Sequence, residues 1–173
     1  MRYLSKDERR EEILQAAMRV ALTEGFAAMT VRRIATEAGV ATGQVHHHFA
    51  SAGELKSLAF VRLIRDLLDA EIVGENAGWR ERLHAMLGSD DGGFEPYIRL
   101  WREAQILASR DSDIKSAYVL TMEMWHQETV AIIRAGTEAN AFTLADQPEN
   151  IAWRLIGLVC GLDGIYVLNM PEM

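Results

Sequence analysis

Between Thr30 and Phe49 the chain reads TVRRIATEAGVATGQVHHHF. Thr30 is an N-cap candidate for a short helix over residues 31–38, because its hydroxyl can accept from a free amide of the first turn. Gly39 ends that helix after about two turns, since glycine takes positive φ without a steric penalty. A second short helix opens near Ala41 or Thr42 and runs to about His48. Two short helices joined by a three- or four-residue turn and crossing at roughly 90–120° make a helix-turn-helix. Ala35 is small enough for the close crossing. Val31, Ile34, Ala38, Val40 and Val45 supply an apolar face shared by both helices.

The signals on either side are also helical. Ser5-Lys6-Asp7-Glu8 has the form of a capping box, and Ile13, Leu14, Ala17, Ala21 and Leu22 recur at helical spacing. Gly25 followed by Phe26 is a helix-stop pattern. Ser51 caps a long helix through Leu55, Leu58, Ala59, Leu63 and Leu67. Further helices are expected at Trp79–Leu87, Phe94–Ser109, Ser112–Ala139 and Pro148–Leu168, with a loop at Asp90-Asp91-Gly92-Gly93. Strand-like alternation is nearly absent. The expected fold is all-α, with eight or so helices. Residues 1–50 form an N-terminal three-helix helix-turn-helix domain, and residues 51–173 a larger helical bundle.

The 173 residues, 49% apolar and 25% charged, suffice for a core without staples. The lone Cys160 excludes an internal disulfide and a Cys-rich zinc site, and suits a reducing cytoplasm. No basic start with an apolar run marks a signal peptide. The most apolar stretch, residues 151–170, contains Arg154 and Asp163, which favours a buried or interface helix over a membrane span. Charge is divided unevenly. Residues 1–65 hold ten Lys and Arg against seven Asp and Glu, and residues 66–173 hold eight against eighteen. A mildly basic head on an acidic body fits phosphate contact by the head alone. No nucleophile elbow, P-loop, dinucleotide fingerprint or His-Glu-x-x-His spacing points to an enzyme. Consecutive histidines on a helix point about 100° apart, so His46-His47-His48 cannot converge on one metal ion. No metal or cofactor is expected.

The block from Ile13 to Leu55 resembles the DNA-binding domain of the tetracycline-repressor (TetR) family of bacterial regulators. The resemblance rests on Ile13-Leu14-Gln15-Ala16-Ala17, Glu24-Gly25-Phe26, Thr30-Val31, Ile34-Ala35, Ala38-Gly39-Val40, Gly43, Val45, Phe49 and Glu54-Leu55. It implies a homodimeric transcription factor, usually a repressor. The N-terminal domains of such a dimer enter successive major grooves of a double-stranded operator, and its divergent helical body binds a small molecule.

With Val45 facing the core, rotation by about 100° per residue turns Gly43 and His47 furthest outward, with Gln44 and His46 flanking them. His48 returns toward Phe49. Thr42, Gly43, Gln44, His46 and His47 are therefore the expected groove-facing set, with Gln44 able to pair bidentately with adenine. The family commonly has Tyr where this chain has His46, and Lys where it has Thr42 and Ala52. Arg32, Arg33 and Lys56 are the nearest replacements, and Thr30 joins them as a DNA-contact candidate. Fewer charged phosphate contacts weaken binding and flatten its salt dependence. This leaves a second reading open, in which the chain no longer binds DNA and acts through protein contacts.

In the body, Met86, Trp101, Gln105, Tyr118, Met122, Trp125 and His126 form an aromatic, Met-rich set with polar tips. It is the expected lining of a pocket for a flat, apolar or cationic inducer. The last helix places Trp153, Gly157, Gly161 and Gly164 along one side, with Cys160 beside them. By the resemblance, the last two helices pair with those of a second copy in a four-helix dimer interface.

Overall fold

The computed structural model describes residues 5–70, 73–88 and 93–168, so positions 90–92 of the expected loop lie outside it. Among the described residues the secondary structure is entirely helical. The helices are α1 (Lys6–Glu24), α2 (Val31–Ala38), α3 (Thr42–His48), α4 (Ala52–Leu68), α5 (Trp79–Leu87), α6 (Glu95–Leu107), α7 (Ser112–Glu138) and α8 (Pro148–Val167). One 3-10 turn, Phe26–Ala28, joins α1 to α2. The chain divides into two compact units, Met1–Leu67 with Gly93–Thr121, and Leu68–Gly92 with Met122–Met173. These are packing units, and α7 contributes to both.

Local chemistry sets the helix ends of the first unit. The Ser5 hydroxyl accepts from Glu8 N–H (3.2 Å) and the Glu8 carboxylate from Ser5 N–H (2.8 Å), completing the capping box. The Thr30 hydroxyl accepts from Arg33 N–H (3.1 Å) and starts α2. Gly39, at φ 66° and ψ 33°, ends it. Gly39 N–H donates to Thr36 and Val40 N–H to Ala35, the double bond of a Schellman stop. The Ser51 hydroxyl accepts from Glu54 N–H (3.0 Å) at the start of α4.

The first unit closes over Ile13, Phe26, Ile34, Val45, Phe60 and Leu100, all buried. Edge-to-face ring pairs connect Phe26 with Phe60 (5.5 Å), Phe60 with Trp101 (6.2 Å) and Trp101 with Tyr118 (5.6 Å). Polar bonds fasten α6 to the end of α1. Arg99 donates to the Leu22 carbonyl (2.5 Å), and the Glu103 carboxylate accepts from Phe26 N–H (2.9 Å). Gly53, which reads as a weak start for α4, has a spatial reason: a Cβ there would collide with the Asp113 carboxylate. An acid at that place also suits the positive end of α4.

In the second unit Val130, Ile133 and Ala152 are buried, with Leu83, Leu144, Ile151 and Leu155 packed around them. The Phe142 ring occupies the space a Cβ at Gly136 would need, closing the turn from α7 into α8. Ion pairs Arg134–Glu149 and Arg154–Asp146 flank that turn.

Gly25 and Gly39 test two different constraints. At Gly39 nothing lies within 4 Å of an added Cβ, so Gly39→Ala meets backbone strain alone. It should cost about 1–2 kcal/mol in urea unfolding. Gly25, at φ 81° and ψ 178°, lies where essentially only glycine is found, and its Cβ would sit 2.6 Å from Glu103 Oε1. Gly25→Ala should therefore cost more than Gly39→Ala.

Candidate nucleic-acid interface

Helix α3 has seven residues and one buried side chain, Val45. That burial turns Thr42, Gly43, Gln44, His46 and His47 outward, and all five are exposed. The exposed edge thus contains amide, hydroxyl and imidazole groups and no Lys or Arg. His48 is half-buried, its ring edge-on to that of His47 at 5.1 Å between centroids. Its Nδ1 is buried without a hydrogen-bond partner among the described residues. Burial pushes the His48 imidazole below its ordinary value, and His47, Lys6, Arg10 and Arg9 push the same way. Phe49 is buried directly after the helix, with the Arg10 guanidinium 4.7 Å above its ring.

The cations near α3 are not equivalent. Arg33 is held by two carboxylates, donating to Glu24 (2.6 Å) and Glu37 (3.0 Å). Arg19 donates to the same Glu37 (3.0 Å). The Arg33 guanidinium is raised above its ordinary value, first by its bonds to Glu24 and then by those to Glu37. Arg32 projects from α2 and is exposed, while Lys56 is half-buried on α4. Thr30 is exposed, but its hydroxyl is occupied as the α2 cap. The i,i+4 spacing of Arg33 and Glu37 is a sequence signal for their pairing. Glu24 and Arg19 come from α1 and join only through the fold.

The expected ligand residues fall into both units. In the first, Trp101 Nε1–H donates to the Tyr118 hydroxyl (3.1 Å), and Gln105 is exposed. In the second, Trp125 Nε1–H donates to the Met86 carbonyl (2.8 Å), and Met122 is half-buried. His126 donates from Nε2 to the Glu149 carbonyl (3.0 Å) and stacks on Trp153 at 4.3 Å. An open groove of about 420 Å³ runs past His126, Val130, Arg134 and Glu149, and the other expected ligand residues do not line it.

Helix α8 exposes an apolar surface. Trp153, Leu158, Leu162, Ile165 and Tyr166 are 39–73% exposed, and Cys160 is half-buried. Burial raises the Cys160 thiol above its ordinary value, and Asp163 adds to this. An added Cβ at Gly157, Gly161 or Gly164 would meet nothing within 4 Å. By length and composition α8 could also cross a membrane, with a mean hydropathy of 1.3.

Comparison with known proteins places these features in a family. The family model described as "Bacterial regulatory proteins, tetR family" matches residues 13–55. The transcriptional repressor KstR2 of Mycobacterium tuberculosis is 31% identical over 162 residues, covering 87% of this chain and 76% of that protein. The transcriptional regulator BetI of Brucella suis is 28% identical, covering 92% of this chain and 78% of its own. A transcriptional regulator from Saccharomonospora viridis, solved in complex with choline, is 26% identical. It superposes with a TM-score of 0.71 over 96% of this chain and 88% of that one. A TetR-family regulator from Rhodococcus sp. is 22% identical, with a TM-score of 0.76 over 96% of this chain and 90% of its own.

The Glu37 bridge sets a pH dependence. Hydrogen bonds from Arg19 and then Arg33 lower its carboxyl below the ordinary 4.5. A depressed carboxyl contributes stability that is fully present above its unfolded value and lost as pH falls through the folded one. In urea unfolding, wild type should exceed Glu37→Gln in stability above pH 4.5, and the gap should close on acidification below it. A gap independent of pH would remove the bridge as its source.

Proposed function

The chain belongs to the TetR family of bacterial helix-turn-helix transcription regulators, and from that premise we propose that it is a ligand-responsive repressor acting as a homodimer on a palindromic operator. The observation that carries this reading is the exposed set Thr42, Gly43, Gln44, His46 and His47 around a single buried Val45. A helix that buries one side chain and offers an amide and two imidazoles beyond a bare Gly43 backbone suits a major groove. Residues 1–50 read the DNA, and residues 51–173 bind ligand and a second copy. Gln44 takes the base-reading role. Arg32 and Lys56 serve phosphate, while Arg33 holds α2 on α1 through Glu24 and Glu37.

The dimer forms through α8 and the later part of α7. Glycine inside a helix costs roughly 1 kcal/mol relative to alanine. Among the described residues nothing requires Gly157, Gly161 or Gly164 to lack a side chain. A second copy packed against that strip, and against Leu158 and Leu162, accounts for both the glycines and the exposed apolar groups. The same contact favours a soluble cytoplasmic regulator over a membrane-spanning α8. Two such heads reach half-sites about 34–36 Å apart, one DNA turn. The inducer is a small molecule suited to the aromatic and polar groups of the second unit, among them Met86, Met122, Trp125 and His126. The choline held by the 26% identical relative favours a cationic one. Such a ligand releases DNA only to the extent that it prefers the conformation with misaligned heads.

Selection of duplexes from a random-sequence library tests the whole reading. The expected product is a palindrome bound by two chains, and failure to enrich any sequence would favour a chain that acts through protein contacts. Gln44→Ala should relax the preference at the base it reads, at about 1–3 kcal/mol, without changing the salt slope. Leu162→Arg should convert a dimer to a monomer in sedimentation and abolish tight operator binding. A Leu162→Arg protein that stays dimeric would remove α8 from the interface.

A further inference from the structure

The recognition edge of α3 has an unusual charge inventory: its only ionisable side chains are imidazoles. Histidine is the side chain whose charge changes between about pH 5 and 8. A phosphate stabilises the protonated form, and a neutral imidazole contributes no charge to it. The fixed positive charges near α3 come from α1, α2 and α4. On α2, Arg33 is neutralised by Glu24 and Glu37, leaving exposed Arg32. On α4, Lys56 is half-buried, and the Glu54 carboxylate accepts from Ala50 N–H (2.6 Å). From α1, Lys6, Arg9 and Arg10 bear on the His48 end of α3, with Arg9 also paired to Glu12 (2.9 Å).

Resting on the DNA-binding reading above, we propose that operator binding by this protein is proton-linked, with His46 and His47 taking up protons as they dock on DNA phosphates. The two histidines are exposed and adjacent on the outward face, so both can reach the backbone beside the groove. His48 is not part of the device. Its ring is turned inward beside Phe49, and its burial and cationic neighbours favour the neutral form. Each phosphate of a bound duplex is a fixed negative partner for an imidazolium. The equilibrium therefore consumes protons, and operator affinity rises as pH falls through the neutral range. A regulator built this way holds its operator more tightly in an acidified cell, independently of its inducer.

The probe is a duplex enriched by the full chain from a random library at pH 7. Its Kd is measured from pH 6 to pH 8 at constant ionic strength. One proton taken up per complex changes Kd about tenfold per pH unit, so the wild-type value should rise at least about tenfold across the range. The salt slope should steepen at pH 6 by about 0.9 for each additional imidazole–phosphate contact. The His46→Gln/His47→Gln variant should lose the pH dependence of its Kd on the same duplex. The His46→Lys/His47→Lys variant should also be flat with pH, and bind at least as tightly as wild type at pH 6. A glutamine variant with the wild-type pH slope, or a wild type without one, overturns the proposal. A library from which no duplex is enriched overturns the DNA-binding reading instead.

Discussion

A single buried valine determines which side chains α3 turns outward. Helix α3 is seven residues long, about half the length at which helices become marginal in isolation. Its end is tied by Phe49 N–H donating to the Val45 carbonyl (3.0 Å), while its N-cap, Ala41, has no side-chain bond. What holds α3 in place is therefore tertiary: Val45 and Phe49 buried against the rest of the three-helix head, and the Schellman stop at Gly39 that aims the chain into it. Because the period is fixed at about 100° per residue, anchoring Val45 also fixes the outward set. The exposed surface of α3 follows from that packing.

The charge of the head cannot be taken from its composition. Residues 1–65 carry a formal excess of three positive charges, a modest electrostatic footprint. The fold then withdraws part of it. Glu37 accepts from both Arg19 and Arg33, and Glu24 from Arg33, so the basic residues of α2 divide into one that stabilises and one that projects. Exposed ion pairs of this kind contribute little to stability individually. Here they also leave Arg32 as the exposed guanidinium of α2.

How much was legible in the sequence depended on the range of the interaction. Ser5, Thr30, Gly39 and Ser51 act on atoms within five residues, and each does in the structure what its local pattern implies. The outward face of α3 was legible because a helix repeats. Glu103 and Arg99 were not, since they bond to Phe26 and Leu22 across 77 positions and look like ordinary surface charges on an amphipathic helix. The reason for a glycine at position 53, the Asp113 carboxylate, stands 60 residues away. In the body, Trp101 bonds to the Tyr118 hydroxyl and Trp125 to the Met86 carbonyl, partners that helix periodicity does not reveal. An aromatic residue on a helix face carries no local signal that separates a wall from a core.

The long-range bonds at the end of α1 also explain why the head is more than an appended module. Leu22 offers an orphan carbonyl of the last turn of α1, and Phe26 an amide of the following 3-10 turn. Both are met by one face of α6, four residues apart, with charged partners at each bond. The Glu103 bond is part-buried and the Arg99 bond exposed, so solvent weakens the second more than the first. Gly25 lies between the two bonded positions, and its missing Cβ is what lets the Glu103 carboxylate approach. A displacement of α6 along its axis therefore has to carry the end of α1 with it or break both bonds. Since α1 packs directly on α2, and α2 on α3, that end of α1 is mechanically continuous with the reading helix. The glycine that terminates α1 is thus also where α6 is fastened to it.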